Sequence, residues 1–253
     1  MKDKLLAIIP SRYASSRFEG KPLAMINQKP MVIWVYDAVR NSYLFDNVFV
    51  ATDDKRILDC VEIFGGKAVM TSKDCKNGTE RCNQVVQILQ DKDEKYDIVV
   101  NIQGDEPLIK KDMMVSVVSG FKDKEADIVT LKKAIEKYEQ VNDPNCVKVV
   151  TDKNDRALYF SRAAIPYSRE GKEMEIFDNK LYYKHIGIYG YRTKVLNEIV
   201  KLQESFLENT EKLEQLRWLE NGYKILVKTT LWDTVGVDTK QDLDNIIKII
   251  NKQ

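Results

Sequence analysis

The sequence predicts an α/β fold, a mainly parallel sheet flanked by helices. Three observations carry that prediction. Short strand-length apolar runs alternate with helically spaced apolar residues through the first half of the chain; the runs are apolar throughout, as in strands buried on both faces; and Gly-Gly or Asn-Gly steps separate the segments. In order, LLAIIP (5–10) reads as a buried strand, a helix starts near Met31, NVFVAT (47–52) is the next strand, and a helix covers Ile57 to Phe64. KAVMTS (67–72) follows as a strand, then a helix from about Glu80 to Leu89 and the apolar run DIVVNIQ (97–103). Gly65-Gly66 and Asn77-Gly78 serve as turns or helix boundaries.

Beyond Asp127 the rhythm changes. VNDPNCVKVVTDKNDRALYFSR (141–162) reads as two strands joined at Asp152-Lys153-Asn154-Asp155, a hairpin added to the parallel core. The charged stretch from Arg169 to Asn179 reads as a loop and a candidate lid. A strand from His185 to Tyr191, helices near Thr193–Leu202 and Thr210–Glu220, a strand at Lys224–Thr230 and a helix from about Lys240 complete the order.

Length and composition narrow the function classes. A chain of 253 residues suits one large domain, or a main domain with a smaller lobe, with ample core. Forty Lys and Arg against 39 Asp and Glu leave a net charge of +1, so no global field favours nucleic acid or an anionic membrane; anion recognition has to be local. The four cysteines, Cys60, Cys75, Cys82 and Cys146, form no CxxC pair and no metal-ligand spacing with the single His185, which points to reduced thiols and a cytoplasmic location. Pro10 stops the first apolar run too early for a signal segment, and no stretch reaches the roughly 20 apolar residues of a membrane span, so a soluble protein without membrane insertion is expected.

Ligands of open α/β sheets bind beyond the carboxyl ends of the strands. The loop after the first strand, SRYASSRFEGKPL, places Arg12, Arg17 and Lys21 among Ser11, Ser15, Ser16 and Gly20. Three cations with small residues suit a polyphosphate through charge-assisted and backbone N–H contacts. The loop is not a Walker A motif, since the preceding glycine is missing and Pro22 replaces the Ser or Thr; a solvated basic loop is the plainer alternative. At the end of an apolar strand, QGDEP (103–107) carries Asp105, a natural Mg²⁺ ligand beside a triphosphate or else an ordinary acidic turn residue. Asp238 in VGVDT is a second acidic candidate, or an N-cap of the last helix. His185 and Tyr189 share one strand face, either as structural residues or as hydrogen-bonding groups for a substrate. In LEQLRWLENG, Leu213, Leu216 and Leu219 sit at helical spacing while Glu214, Gln215 and Arg217 turn elsewhere, either as a solvated face or as functional groups.

Together PSRYASSRFEGKPL, VATDD, NGTER, NIQGDEPLI, DPNCVKVV, ALYFSRAAIPYSR, HIGIYGYR, LEQLRWLENG and VGVDT, collinear over nearly the whole chain, closely resemble the 3-deoxy-manno-octulosonate (KDO) cytidylyltransferase family, or CMP-KDO synthetases. The resemblance implies a nucleotide-diphospho-sugar transferase-like fold. It implies one cytidylyltransferase domain over 1–253, with a CTP-binding core at about 1–130 and 203–253 and a smaller sugar-binding and dimerisation lobe at about 131–202. It also implies a homodimer using CTP, an acidic 2-keto sugar and Mg²⁺ to make CMP-KDO for lipopolysaccharide or capsule. By resemblance, Ser11, Arg12, Arg17, Lys21, Ser72, Gly78, Arg81 and Gln103 bind CTP; Arg12, Lys21, Asp105 and Asp238 are catalytic, the two aspartates holding the metal. Gln103, Arg162, His185, Tyr189, Glu214 and Gln215 correspond to the sugar-acid site. Glu19 stands where the family usually has proline, and Glu80 replaces the usual aspartate. Alternatives are a cytidylyltransferase for 8-amino-KDO or a sialic-acid-like sugar, and a non-catalytic nucleotide sensor, the latter disfavoured by the retained carboxylates.

Overall fold

The computed structural model describes residues 3–14 and 17–252; Ser15 and Ser16 of the first loop lie outside the described residues. The elements are β1 (Leu5–Pro10), β2 (Met25–Ile26), β3 (Lys29–Pro30), α1 (Met31–Arg40), β4 (Asn47–Thr52), α2 (Lys55–Ile63), β5 (Ala68–Met70), α3 (Gly78–Gln90), β6 (Ile98–Asn101) and α4 (Lys111–Gly120). Then come β7 (Ile128–Ala134), α5 (Glu139–Asn142), β8 (Lys148–Thr151), β9 (Ala157–Ser161), α6 (Glu173–Asp178), β10 (Tyr183–Arg192), α7 (Thr193–Ile199), α8 (Phe206–Glu211), α9 (Glu214–Glu220), β11 (Ile225–Thr229) and α10 (Lys240–Ile250). They pack as two compact units: Met1–Met114 with Arg192–Val200 and Thr234–Gln253, and Val115–Tyr191 with Lys201–Asp233. Of the lobe expected at about 131–202, residues 131–191 and 201–202 lie in the second unit and 192–200 in the first.

In the first unit β1 pairs in parallel with β4 on one side and β6 on the other, and β4 pairs in parallel with β5. Leu6, Ala7, Ile8 and Ile9 are fully buried, which is why β1 reads as a continuous apolar run. Helix α3 starts at Asn77, whose side chain accepts from the Glu80 backbone N–H at 2.8 Å, while the Glu80 carboxylate accepts from the Lys76 N–H at 2.8 Å. The longer side chain at position 80 therefore stabilises the helix start. Helix α10 opens with a capping box on Thr239 and Asp242 and turns Ile246 into a small core with Ile26, Met31 and Val237, against which Phe18 also packs. That core anchors both the loop after β1 and the segment before α10.

The second unit is mixed: β11 pairs in parallel with β7, and β10 runs antiparallel to β7 and to β8, which forms the expected hairpin with β9. Three differences from the sequence reading have physical causes. The charged stretch after Arg169 contains α6, because Ile176 and Phe177 pack on a core of Ile135, Val141 and Tyr182. The helix expected over Thr210–Glu220 is two helices, α8 and α9, separated by Lys212 in the left-handed region (φ 53°). Strand β7 is not among the expected elements: Lys132 and Lys133 look like surface residues, yet both are buried.

Candidate active site

In the first unit, the loops beyond β1 and β6, the start of α3 and the segment before α10 enclose a cavity of about 370 Å³. Its lining includes Ser11, Arg12, Arg17, Lys21, Gly78, Arg81, Gln103, Asp105 and Asp238, nine of the residues singled out in sequence. The loop after β1 is built around Gly20, which adopts φ 68° and lies so close to the Tyr13 ring that an added Cβ meets it at 3.0 Å. Tyr13 in turn has the Arg56 guanidinium over its ring, 3.4 Å from the centroid. Gly104 matters for the same steric reason, since a Cβ there meets the Pro10 carbonyl oxygen at 2.7 Å as well as Ser11 Oγ. Glu19 is exposed to solvent.

Two carboxylates far apart in sequence converge here. The Val237 N–H donates to the Asp105 carbonyl at 2.9 Å, tying the two segments together. Lys21 Nζ lies 2.6 Å from Asp105 and 3.3 Å from Asp238, and Arg17 lies 3.1 Å from Asp238. Asp238 is not the cap of α10; Thr239 is, which leaves the Asp238 carboxylate directed to these cations. Arg12 is exposed and has no ion-pair partner among the described residues. The Asn77–Gly78 start of α3 adds the positive end of a helix dipole to the wall.

Arg81 differs from the other cations. It is buried, pairs with Asp53 at 3.0 Å and donates to Thr71 Oγ1 at 2.5 Å and to the Ser72 carbonyl at 3.4 Å. Ser72 does not line the cavity; its N–H donates to Gln84 and its hydroxyl to Asp74. Sequence reasoning missed Lys76 and Asn77, which line the cavity, and Asp53, which holds Arg81 from behind it, although Asn77 three positions before Glu80 is an N-cap signal.

The donor set bears on a metal. Among the described residues no group of three or more His, Cys, Asp or Glu could hold one. Asp105 and Asp238 nonetheless already share one cation, the Lys21 ammonium, and two carboxylates completed by phosphate oxygens and water suit a magnesium ion. The residues therefore fit such a metal when nucleotide is present.

In the second unit, β10 carries His185 and Tyr189, whose ring centroids are 5.3 Å apart. They stay on one face because the irregularity between Ile186 and Tyr189 inserts two residues, preserving the alternation. Tyr189 meets Trp218 of α9 edge to face at 5.3 Å, and His185 meets Phe160 at 5.1 Å. Burial pushes the imidazole down to about 3 and the Tyr189 phenol well above its ordinary value, with Glu214 adding to the latter. Gln215 and Arg217 are buried, so the polar side of α9 is not a solvated face. Arg217 binds Glu214 at 2.8 Å. Arg162 spends its guanidinium on the carbonyls of Glu211, Pro144 and Lys212. All four cysteines are free thiols, and no helix among the described residues is long and apolar enough to cross a membrane.

Known proteins sharpen the reading. The cytidylyltransferase family pattern matches residues 6–225. A 3-deoxy-manno-octulosonate cytidylyltransferase of Thermodesulfovibrio yellowstonii is 49% identical over 97% of this chain and 98% of its own length. One from Parabacteroides distasonis is 47% identical over 98% of each. A solved CMP:2-keto-3-deoxy-manno-octonic acid synthetase, complexed with CTP, superposes with a TM-score of 0.88 at 38% identity, covering 98% of this chain and 99% of that one. With its cation-lined cavity, paired aspartates and flanked, largely parallel sheet, the chain belongs to the 3-deoxy-manno-octulosonate cytidylyltransferase family.

Proposed function

We propose that the protein transfers the CMP unit of CTP to the anomeric C2 hydroxyl of KDO, giving CMP-KDO and pyrophosphate for lipopolysaccharide or capsule. The observation that carries this reading is the convergence of Arg12, Arg17, Lys21, Asp105 and Asp238 on one cavity that is also lined by a helix start. The CTP relatives and their full-length similarity support the nucleotide and the sugar.

The C2 oxygen forms a bond to the α-phosphorus as the bond to the β-phosphate bridging oxygen breaks, with the hydroxyl proton released to solvent and no covalent intermediate. Such transfers depend on positioning and charge stabilisation. Arg12, Arg17 and Lys21 hold the triphosphate and offset charge on the departing pyrophosphate. Ser11, Gly78, Arg81 and Gln103 shape the nucleotide site, with Ser72 acting through the Arg81 guanidinium it accepts from. Asp105 and Asp238 would hold Mg²⁺, which when bound lowers the repulsion between the sugar carboxylate and the α-phosphate. His185, Tyr189, Glu214 and Gln215 would hold the sugar acid. Free thiols fit a cytoplasmic setting, and family resemblance supports a homodimer, checked by sedimentation.

The test is pyrophosphate release by purified protein with Mg²⁺ and CTP, comparing KDO, 8-amino-KDO, N-acetylneuraminate and no sugar, with UTP and ATP as nucleotide controls. Release with CTP and KDO is expected. Release only with another sugar replaces the substrate, and CTP binding without any release removes the transferase reading.

A further inference from the structure

We propose that Thr130 is a positioning residue that holds His185 as the Nε2–H tautomer, so that Nδ1 presents a lone pair able to accept a hydrogen bond from a hydroxyl of the sugar acid. The clause about the sugar rests on the function proposed above; the tautomer does not.

Thr130 is fully buried on β7, opposite the irregularity in β10. Its Oγ1 lies 2.8 Å from the Ile188 carbonyl oxygen, 3.1 Å from the Ile186 carbonyl oxygen and 2.9 Å from His185 Nε2. A hydroxyl has one proton. If that proton went to the imidazole, the oxygen would face two carbonyl oxygens at hydrogen-bond distance with nothing between them, in a buried site where unpaired acceptors are costly. Donation to a carbonyl instead leaves an oxygen lone pair for Nε2, which must then carry the ring proton. The same hydroxyl thus stabilises the strand irregularity and fixes the ring.

The remainder of the ring is consistent. The edge of Phe160 and the tilted Tyr189 ring limit its rotation. Burial keeps it neutral, so Nδ1 is not protonated as a cation near pH 7. Among the described residues Nδ1 has no hydrogen-bond partner. A neutral ring presenting only a lone pair accepts from a hydroxyl and repels a carboxylate, so His185 reads a sugar hydroxyl while the acid group is left to cationic or N–H donors.

The chain contains one histidine, so imidazole ¹⁵N signals of the labelled full-length protein need no assignment. Long-range ¹H–¹⁵N spectra at neutral pH should show a protonated Nε2 and a bare Nδ1 in the parent and in Thr130→Ser. Thr130→Val should show a mixed or reversed tautomer and raise KM for KDO by about five- to tenfold, with KM for CTP unchanged and Thr130→Ser restoring it. Circular dichroism checks folding; should the valine variant not fold, the parent and serine spectra still decide the tautomer. A protonated Nδ1 in the parent, or a parent-like spectrum in Thr130→Val, overturns the lock. A changed tautomer with unchanged KM for KDO overturns the sugar contact alone.

Discussion

Lysine and arginine serve opposite purposes in the two units. In the first, Arg12 and Arg17 are exposed, and Lys21 bridges two carboxylates on a cavity wall. In the second, Lys133 lies directly opposite Lys184, and Lys184 opposite Lys148, a row of like charges that is unfavourable by itself. Internal partners offset it: Asp233 takes Lys184 at 2.5 Å and Lys133 at 3.7 Å, Glu136 takes Lys133 at 2.9 Å, and Lys148 donates to the carbonyls of Asp143 and Arg162. A cation whose charge and donors are used internally supports structure; one left facing a cavity is available to an anion. Arg81 shows that cavity lining alone is not sufficient, because its partners are already Asp53, Thr71 and Ser72.

Substitutions test this contrast, beginning with the largest expected effect. Arg81→Ala leaves the partly buried Asp53 carboxylate without its partner and should cost about 3 kcal/mol in chemical denaturation, behaving as a structural lesion before a binding one. Asp105→Asn should lower kcat in the pyrophosphate assay at least about a hundredfold with the fold intact; a loss below about tenfold would remove Asp105 from the chemistry. Lys148→Met should cost about 1–3 kcal/mol by leaving two carbonyls without a donor, with KM for CTP unchanged.

The histidine gives a pH test. Its folded-state value, about 3, lies below the ordinary 6.5, so the unfolded chain takes up the proton first as pH falls. The associated stability is fully present above pH 6.5 and is lost progressively down to about pH 3, with a slope of at most about 1.4 kcal/mol per pH unit. The difference between parent and His185→Gln, measured by denaturation between pH 7 and 4, should isolate it; parallel curves would mean the imidazole titrates normally. The smallest stability effect belongs to Arg17→Ala, whose exposed ion pair should contribute about 0–1 kcal/mol, while CTP binding weakens more than sugar binding. Equal losses for both substrates would argue against a phosphate contact.

Much of the fold was legible because burial leaves a direct trace in sequence. β1, β4 and β6 are apolar runs because both faces are covered, and the loops after β1 and β6 could be named as site loops from that order alone. Strand β7 was not legible, since the charges of Lys132 and Lys133 are offset in part by Asp155 and Asp233, remote in the chain, which no local pattern reveals. The α8–α9 break was partly legible: Ser205 and Glu208 form a capping box that marks a helix start before Thr210. Helix α6 was hidden because its two apolar anchors sit in a strongly charged stretch.

The sequence by itself determined the residue types, most of the strands and helices, and the family, because side-chain chemistry and a collinear set of motifs are properties of the chain. Only the tertiary structure decided which charges are committed. It brought Asp238 to Asp105 and Lys21, withdrew Arg81 and Arg162 into internal hydrogen bonds, and set Thr130 against His185. Those outcomes depend on distance and desolvation between residues remote in the chain, and a hydrogen bond or ion pair acquires its meaning only when the partner and the surrounding dielectric are fixed.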